Sequence, residues 1–581
     1  MADASYDLII VGAGVVGSAL AYGLSTSQPH LRICLLERSL AEPDRIVGEL
    51  LQPGGVRALE ELGMKDALNG IDSSPTYGYC VMDTKEGTQV QVPYQDGKIG
   101  ACFHHGRFIN ALRAKVAQRG RGELRAGGID MIEATVSELI TEEDVPEVVL
   151  GVRATRKTED GGVEKVTYRA PLTVICDGCF SNFRNTVLGE EGSLKPTVRS
   201  HFVGLVVRGL NLPYKQHGTV ALVQGHGPIL MYQIDTAGRG EDAPGTRMLV
   251  DVRNPFPDDL KDHIASQLVP QLPETLRGSI LDALNDPGAR LRRMPNSFLP
   301  PAPQHTFSPR HLPLPLYIFY TVFWPLISLF TLSSSIAQPA AATKDGKPAP
   351  STARKRGVIL VGDAYNMRHP LTGGGMTVGL HDAAILTRLL GDLAAPKQPE
   401  PFAEWSKIND VLRTWYWHRK PLSSTVNILS VALYDLFGAE DENLDILRTG
   451  CMRYFQRGGK CVSEPVGILS GLIPSPLILM RHFFAVAFYA IYIMWTTPDA
   501  KTGKTRSILG NVVKGISVLR TTCIVFLPLL WTEVRCWAPG AVDKSLRPLF
   551  LIALAAAAAY VLPSTGLLRD FTTPVAAAKG A

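Results

Sequence analysis

The residues of this chain whose types and spacing could do chemistry begin with a glycine run near its start. Gly12-Ala13-Gly14-Val15-Val16-Gly17 has the spacing G-x-G-x-x-G. In such a run Gly12 permits a tight turn, Gly14 lets the backbone approach a pyrophosphate, and Gly17 lets a helix pack closely on a sheet. Glu37 follows 20 positions after Gly17, where its carboxylate could accept hydrogen bonds from ribose hydroxyls. The run predicts a dinucleotide site, and the alternative is a glycine-rich turn in an α/β domain that binds nothing.

Apolar segments on either side of this run must form the elements that position it. Tyr6–Val11 is rich in Leu, Ile and Val, which predicts a buried parallel strand. Ser18–Leu24 supplies the helix whose N-terminus would face phosphate charge, and Arg32–Glu37 is the second strand. A strand, a helix and a strand in this order predict a Rossmann-type unit.

Two later acidic turns decide which dinucleotide is bound, because FAD and NAD enzymes share the first turn. Leu172–Asp177 is an apolar run that ends in Asp177-Gly178, and Val358–Val361 is followed by Gly362-Asp363-Ala364 and a Gly-rich turn. These turns resemble the DG and GD motifs of aromatic-hydroxylase-type flavoproteins. The resemblance implies that Asp363 binds the ribityl chain, and that the helix after the Gly-rich turn points its positive N-terminus at the isoalloxazine ring. Three motifs in this order predict FAD, whereas coincidental glycine turns are the alternative.

Longer strings narrow the resemblance to one family. Gly362–Val378 reads GDAYNMRHPLTGGGMTV, which is similar to the corresponding string of squalene monooxygenases (squalene epoxidases), including the fungal ones. Further similar strings are RIVGELLQPGG (Arg45–Gly55), FHHGR (Phe103–Arg107), RMPNSFLP (Arg293–Pro300), VNILSVALY (Val426–Tyr434), YFQRGGKC (Tyr454–Cys461) and HFFAVAFY (His482–Tyr489). The chain thus resembles this family almost to position 495.

The family resemblance implies a set of site residues. It implies FAD contacts from Val15, Val16, Glu37, Arg38, Arg45, Arg113, Val136, Asp363 and Met376. It also implies that Tyr79 is needed for activity and that Gln52 lies near it in the substrate pocket. His105 and Arg107 are further candidates beside the pocket. Read without the family, Tyr79 would be a half-buried strand aromatic, Arg113 an exposed helix arginine, and the adjacent histidines structural.

The resemblance also implies a reaction and its reactants. Squalene would be epoxidised to (S)-2,3-oxidosqualene with O2 through a flavin C4a-hydroperoxide, in sterol (ergosterol) synthesis. By the same resemblance, NADPH would supply electrons through a separate membrane-bound flavoprotein reductase, whereas aromatic hydroxylases of this class let NADPH reach the flavin directly. The sequence has no second G-x-G-x-x-G that would mark a nicotinamide domain. Phe202–Val207 and Ile229–Ile234 could wall an apolar tunnel, although a plain sheet core fits them equally. The other hypotheses are a hydroxylase or epoxidase of another terpenoid or aromatic metabolite, and a flavin fold that has lost turnover and serves as an interaction protein.

Composition excludes several other classes of protein. The 59 basic and 54 acidic residues give a net charge of +5 without basic blocks, which argues against nucleic-acid binding. The histidines lack the clustered spacing of a metal site. Cys176 and Cys179 could form a redox C-x-x-C, but they enclose Asp177-Gly178, and we expect reduced thiols in a cytosol-facing protein. We expect no cleaved secretory signal.

The C-terminal third is apolar enough to contact a membrane. Its uncharged or nearly uncharged stretches are Pro465–Met480, Phe483–Pro498, Ile516–Trp531 and Pro548–Leu568. Each contains Pro or Gly, or is shorter than the roughly 20 residues that a spanning helix needs, so helices that dip into one leaflet are favoured over full spans. We expect attachment to the endoplasmic reticulum membrane and also to lipid droplets, with a buried helical subdomain as the alternative.

The predicted fold class is α/β (α+β overall): a Rossmann-type FAD-binding domain, an interleaved β-sheet substrate domain and a C-terminal helical membrane-associated region. The predicted bounds are 1–40, 106–185 and 354–400 for the FAD-binding domain, 41–105 and 186–303 for the substrate domain, and 401–581 for the helical region. Residues 304–353 depart from the family pattern, because an apolar stretch and an Ala-, Pro-, Ser- and Lys-rich stretch separate two family strings. We interpret this insert as a retained intron, which transcript sequencing would test; a further membrane element is the alternative.

Overall fold

A five-stranded parallel sheet carries the three predicted motifs in the computed structural model of this protein. The structure describes residues 4–120, 127–158, 160–192, 195–237, 242–301, 354–395, 400–439, 441–497 and 507–534. With strands numbered in chain order, the sheet comprises β2 (Leu8–Val11), β3 (Arg32–Glu37), β9 (Gly128–Glu133), β13 (Leu172–Ile175) and β19 (Val358–Leu360). Their spatial order is β19-β13-β2-β3-β9. Each motif therefore follows the carboxyl end of a strand in one sheet.

Helices cover this sheet and complete its core. They are α1 (Val15–Ser27), α2 (Pro53–Glu61), α3 (His105–Ala117), α4 (Arg184–Gly192) and α7 (Gly375–Ala394). Gly17 shows why the first motif needs glycine, because a Cβ there would lie 1.9 Å from the carbonyl oxygen of Gly12. The strand, the turn and α1 match the unit predicted from the sequence.

A seven-stranded mixed sheet forms a second layer. It comprises β6 (Gly78–Asp83), β7 (Thr88–Pro93), β14 (Thr197–Arg208), β15 (Gly218–Leu222), β16 (Ile229–Gln233), β17 (Gly245–Arg253) and β18 (Arg292–Phe298), in the order β18-β14-β17-β16-β15-β6-β7. Helices α5 (Leu260–His263) and α6 (Glu274–Asn285) follow β17 in the chain. Val203, Leu205 and Val207 of β14 pack in a core with residues of α6.

Two smaller sheets complete the strand content of the described residues. One contains β1 (Ala4–Ser5), β10 (Thr135–Thr141), β11 (Val149–Lys157) and β12 (Val163–Arg169), in the order β1-β12-β11-β10. The other contains β4 (Leu50–Leu51), β5 (Ser74–Thr76) and β8 (Gly100–Cys102), in the order β4-β8-β5. Because β4 lies just before Gln52, this small sheet places the RIVGELLQPGG string beside the seven-stranded sheet.

The C-terminal region is helical, as the sequence predicts. Its helices are α8 (Trp405–Gly438), α9 (Glu442–Gln456), α10 (Lys460–Leu469), α11 (Pro476–Thr496) and α12 (Ile508–Val534). Within the described ranges, α11 and α12 are long and apolar enough to cross a membrane, and the bent pair α8 and α9 would add a third candidate if it counted as one span. The expectation that the apolar stretches are too short to span is wrong for α11 and α12, because α11 continues through Arg481 and α12 through Arg520 and Pro528. Attachment to one leaflet rather than a full span stays a prediction.

The α/β class with an added helical region is confirmed, while the domain bounds stay predictions. Residues 302–353 lie outside the described residues, and so does the apolar stretch Pro548–Leu568.

The five-stranded and the seven-stranded sheet meet near the carboxyl ends of β2, β13 and β19, and this junction holds the candidate site.

Candidate flavin site

One cavity lies where the three motifs converge. Gly14 and Val15 of the first motif, Gly178 of the second and Asp363 of the third all line it. In open α/β sheets ligands bind outside the carboxyl ends of the strands, which is where this cavity lies. The opposite wall comes from the seven-stranded sheet, so the cavity joins the two layers.

The residues around the cavity fit FAD. A Cβ on Gly14, Gly178 or Gly375 would meet no protein atom within 4 Å, so the backbone at these three glycines is open to a ligand. Helices α1 and α7 begin at the cavity without a side-chain cap, which leaves N–H groups and positive helix ends for phosphate and flavin oxygens. Asp177 Oδ1 is buried without a hydrogen-bond partner. The open glycines, the uncapped helices and this unsatisfied oxygen all match a dinucleotide.

Glu37 and Arg113 form a linked pair at the end of β3. The Ala13 amide donates to Glu37 Oε2 at 2.8 Å, and Arg113 Nη2 lies 3.4 Å from the same oxygen. Arg113 Nε also donates to the Ala13 carbonyl at 3.0 Å. Arg113 is buried, so the alternative of an exposed helix arginine is wrong. The pair fixes the first turn and places the Glu37 carboxylate at the end of the second strand.

Arg184 joins the second motif to the third. Its Nε donates to the Ala364 carbonyl at 2.7 Å, and its Nη2 donates to the carbonyls of Asp363 and Cys179 at 3.0 and 3.2 Å. Cys176 and Cys179 are free thiols, and burial raises the pKa of both. A thiol with a raised pKa is a poor nucleophile, so the redox interpretation of C-x-x-C is not favoured.

Gln52 and Tyr79 contact each other, as the family resemblance implies. Gln52 Nε2 donates to Tyr79 Oη at 2.5 Å and to the Thr372 carbonyl at 2.8 Å. Tyr94 Oη donates to Gln52 Oε1 at 2.6 Å. A backbone carbonyl only accepts, so Thr372 fixes which side of the Gln52 amide carries the nitrogen. All four groups of this network are buried, and Tyr79 is the member that lines the cavity.

Tyr94 is the member that sequence reasoning missed. Its ring packs edge-on against Tyr79, with centroids 6.0 Å apart. In the β6–β7 hairpin Tyr79 lies opposite Val92, so Tyr94 is the diagonal neighbour that follows two residues later. Pairing these two strands in the correct register would have been the signal, and their four-residue connection, which ends in Gly87 at positive φ, is the local feature that indicates a hairpin.

His105 is buried in the wall of the cavity and Arg107 is not part of the wall. His105 Nδ1 donates to the Gly48 carbonyl at 2.9 Å, which leaves Nε2 as the acceptor of the ring. Burial lowers the pKa of His105 to about 4, so the imidazole is neutral near pH 7. Arg107 instead faces Asp72 at 3.5 Å. Of these two candidates beside the pocket, His105 therefore lines the cavity and Arg107 does not.

The remaining candidates divide into those at the cavity and those away from it. Val16, Arg45 and Met376 line it. Arg38 is exposed just beyond β3, and Val136 is half-buried in β10, where it pairs with Ala154. Neither of these two lines the cavity, so their assignment as flavin contacts depends on the resemblance alone.

The wall opposite the flavin motifs is mainly apolar. Leu230, Met231 and Tyr232 of β16 line it together with Leu249 and Met294. Of the two segments expected to wall a tunnel, Ile229–Ile234 contributes Leu230, Met231 and Tyr232, whereas Phe202–Val207 does not line the cavity. A buried ion pair supports the wall, with Arg247 Nε 2.7 Å from Glu49 Oε2. Among the described residues no cluster of His, Cys, Asp and Glu could hold a metal ion.

Comparisons with known proteins agree with this geometry. A family model for squalene epoxidase matches residues 169–308 and 342–508, and the gap between the two segments lies inside the predicted insert. Squalene monooxygenase from Mus musculus is 38% identical over 91% of this chain and 78% of its own length. Squalene epoxidase from Saccharomyces cerevisiae is 35% identical, covering 91% of this chain and 96% of its own length.

Solved structures agree on the fold. The p-nitrophenol 4-monooxygenase of Pseudomonas putida covers 81% of this chain and 99% of its own, with 15% identity and a TM-score of 0.54. The flavin-dependent brominase Bmp2 covers 84% of this chain and 99% of its own, with 13% identity and a TM-score of 0.52. Fold and cavity together define an FAD-dependent monooxygenase with an apolar helical region suited to membrane association. More particularly, the chain belongs to the squalene epoxidase family.

Proposed function

We propose that this protein epoxidises squalene to (S)-2,3-oxidosqualene for sterol synthesis. One oxygen atom of O2 enters the epoxide and the other leaves as water, while NADPH and a proton supply the two electrons and the hydrogens. The observation that carries the proposal is the single cavity that joins three flavin motifs to an apolar wall and to the Gln52–Tyr79–Tyr94 network.

Residues from all three motifs would hold FAD. The pyrophosphate fits the open backbone at Gly14 and the start of α1, and Glu37 would accept the ribose hydroxyls. Asp177 and Asp363 would bind further polar groups of the cofactor, and Met376 at the start of α7 would lie against the flavin. The predicted contacts of Val15, Val16, Arg38, Arg45, Arg113 and Val136 complete this proposed site. When bound and reduced, FAD supplies the activation of O2 and the transfer of one oxygen atom to a carbon–carbon double bond.

Tyr79 is the proposed hydrogen-bond donor to the reacting groups. Burial raises the pKa of Tyr79, so its hydroxyl stays neutral and keeps its proton. That hydroxyl accepts a hydrogen bond from Gln52, which leaves its own proton available to the cavity that Tyr79 lines. Gln52 orients Tyr79, and it is held in turn by Tyr94 and Thr372. This arrangement would steady oxygen atoms that gain negative charge during oxygen transfer.

The apolar wall is the part of the cavity suited to a hydrocarbon substrate. Leu230, Met231 and Leu249 offer no hydrogen-bonding side chain, so a polyene could displace water from them at low cost. Exclusion of water also protects a reactive oxygen donor from hydrolysis. A polar aromatic substrate would find fewer partners along this wall.

Electrons are proposed to come from a separate NADPH-dependent flavoprotein reductase. The sequence contains a single G-x-G-x-x-G, and that turn belongs to the FAD site. A nicotinamide domain of its own is therefore not predicted, and the squalene epoxidase family supports a partner reductase over direct reduction of the flavin by NADPH.

Helices α11 and α12 are the proposed attachment to the membrane of the endoplasmic reticulum and to lipid droplets. Large apolar side chains are exposed along both helices, among them Leu477, Tyr492 and Trp495 on α11 and Leu509, Val513 and Ile516 on α12. Such a surface is unfavourable in water and favourable in lipid. It would place the cavity close to a substrate dissolved in the bilayer.

Reconstitution in detergent tests the proposal directly. The purified chain is incubated with FAD, NADPH, a partner reductase and squalene, and the product is identified by mass spectrometry. Formation of 2,3-oxidosqualene, lost in Tyr79→Phe but retained in a variant of the exposed Tyr77 (Tyr77→Phe), is the expected result. Bound flavin that yields hydrogen peroxide without epoxide would favour a hydroxylase of another metabolite, and a chain that binds no flavin would refute the enzyme.

A further inference from the structure

Helix α12 carries a buried carboxylate near the end of a largely apolar sequence. Glu533 is 2% exposed and receives hydrogen bonds from three side chains of α8. Lys420 Nζ and Ser424 Oγ lie 2.6 and 2.7 Å from its Oε2, and Asn427 Nδ2 lies 2.8 Å from its Oε1. A buried charge is tolerated only when it is paired and hydrogen-bonded. These contacts therefore fix α12 on α8 in one register.

Asn427 continues this set of contacts toward the flavin cavity. Its Oδ1 accepts from Arg368 Nε at 3.2 Å, while its Nδ2 donates to Glu533 and also lies 3.2 Å from Asn366 Oδ1. Arginine only donates and a carboxylate only accepts, so a single orientation of the Asn427 amide satisfies both neighbours. The hydrogen bond to Glu533 thus orients the Asn427 amide so that its Oδ1 points to Arg368.

Arg368 connects Asn427 to the start of α7. It lines the cavity, although it is 94% buried. Its Nη1 donates to the Gly375 carbonyl at 3.3 Å, and its Nη2 donates to the Asn366 carbonyl at 3.0 Å. Gly375 is the first residue of α7, the helix whose N-terminus opens on the cavity. A continuous set of buried contacts therefore runs from α12 to the edge of the flavin site.

We propose that Glu533 is a positioning residue for the flavin site, acting through Asn427 on Arg368, so that α12 is required for full FAD affinity. The apolar helix would then serve the cofactor as well as the membrane. This inference rests on the proposed placement of FAD. A second, more exposed ion pair of α12 offers a comparison, because Lys514 Nζ lies 2.9 Å from Glu442 of α9 and neither residue lines the cavity.

FAD affinity of the full-length apoprotein in detergent tests this proposal. Glu533→Gln keeps the side-chain volume and removes the charge. The dissociation constant of this variant for FAD is expected to rise about 2- to 30-fold, the range of coupling through a packed network. The circular dichroism of the bound flavin is expected to change as well, because the start of α7 moves. Glu442→Gln, which breaks the comparison pair, is expected to keep the parent affinity within about twofold.

A double-mutant cycle tests whether Glu533 acts on the flavin site through Asn427. Asn427→Leu breaks the contact with Arg368, and adding Glu533→Gln to it is expected to weaken FAD binding no further, because the two changes interrupt the same connection. Additive losses would overturn the connection through Asn427, and an unchanged FAD affinity in Glu533→Gln would overturn the proposal.

If Glu533→Gln does not fold, Glu533→Gln with Lys420→Met removes both charges and is measured with the same expectation. Asp363→Ala is measured alongside: unchanged FAD affinity in that variant would reject the proposed flavin placement rather than the role of Glu533.

Discussion

Replacement of Tyr94 by Phe tests the hydrogen-bond network without disturbing its packing. The ring that packs edge-on against Tyr79 is retained, whereas the hydroxyl that donates to Gln52 Oε1 at 2.6 Å and also contacts the Tyr79 hydroxyl is lost. The Gln52 amide cannot compensate by rotating, because the Thr372 carbonyl accepts from its nitrogen at 2.8 Å. A buried acceptor left without a partner costs about 1–3 kcal/mol. If the whole of this cost is added to the activation free energy because Tyr79 is no longer held in place, the kcat of squalene epoxidation falls about 5- to 150-fold.

Single-turnover epoxidation is the assay that reports this loss. The reduced, squalene-loaded variant is mixed with O2 and 2,3-oxidosqualene is quantified over time, so that delivery of electrons by the reductase does not limit the rate. Tyr168→Phe is the control, because it removes a buried tyrosine hydroxyl in β12 that does not line the cavity. A Tyr94→Phe rate within twofold of the parent, with Tyr79→Phe inactive, would refute the role of Tyr94 in orienting Gln52.

Three further predictions concern the cofactor, pH and the cavity wall. Gly14→Val adds a side chain where no protein atom lies within 4 Å, so the variant is expected to fold, as circular dichroism will show, but to bind FAD about tenfold or more weakly. The folded-state pKa of His105 is lowered from 6.5 to about 4, so the unfolded chain binds more protons between these values and stability falls as the pH drops through them. Lowering the pH from about 7.5 to about 5.5 is expected to cost the parent about 1.3 kcal/mol more than His105→Gln in denaturant unfolding, and equal losses would contradict this. Glu49→Gln leaves Arg247 buried without a charged partner and is expected to cost about 3–5 kcal/mol, most of which Glu49→Leu with Arg247→Met regains in thermal unfolding.

The flavin fold was predictable because its signals are local. Strand β2, the glycine run and α1 are consecutive in the chain, and Glu37 ends the next strand, so one short segment contains the whole unit. Gly17 illustrates the reason, since a Cβ there would collide with the Gly12 carbonyl only five residues away. The length of α11 was not predictable in the same way, because Arg481 and His482 interrupt the apolar stretch without ending the helix.

The partners of the site residues could not be predicted, because they come from distant segments. Gln52 accepts from Tyr94 and donates to Thr372, which is 320 residues away, and only the packing of two sheets against α7 brings these groups together. The family resemblance identified Gln52 and Tyr79 as residues but carried no information about what holds them. Their orientation is a property of the fold.

The C-terminal helices combine an exposed apolar surface with a buried ion pair to the rest of the protein. Their composition indicates contact with lipid, and a helix held in a bilayer by composition alone would need no buried ion pair with the rest of the protein. Glu533 nevertheless lies 2.6 Å from Lys420, and Asn427 links that carboxylate to Arg368 at the cavity. Burying two charges is unfavourable unless they are paired and fully hydrogen-bonded, and a hydrophobic pair at the same place would stabilise the fold equally well. The polar contacts of α12 are therefore better explained by a structural connection to the flavin site than by membrane attachment alone.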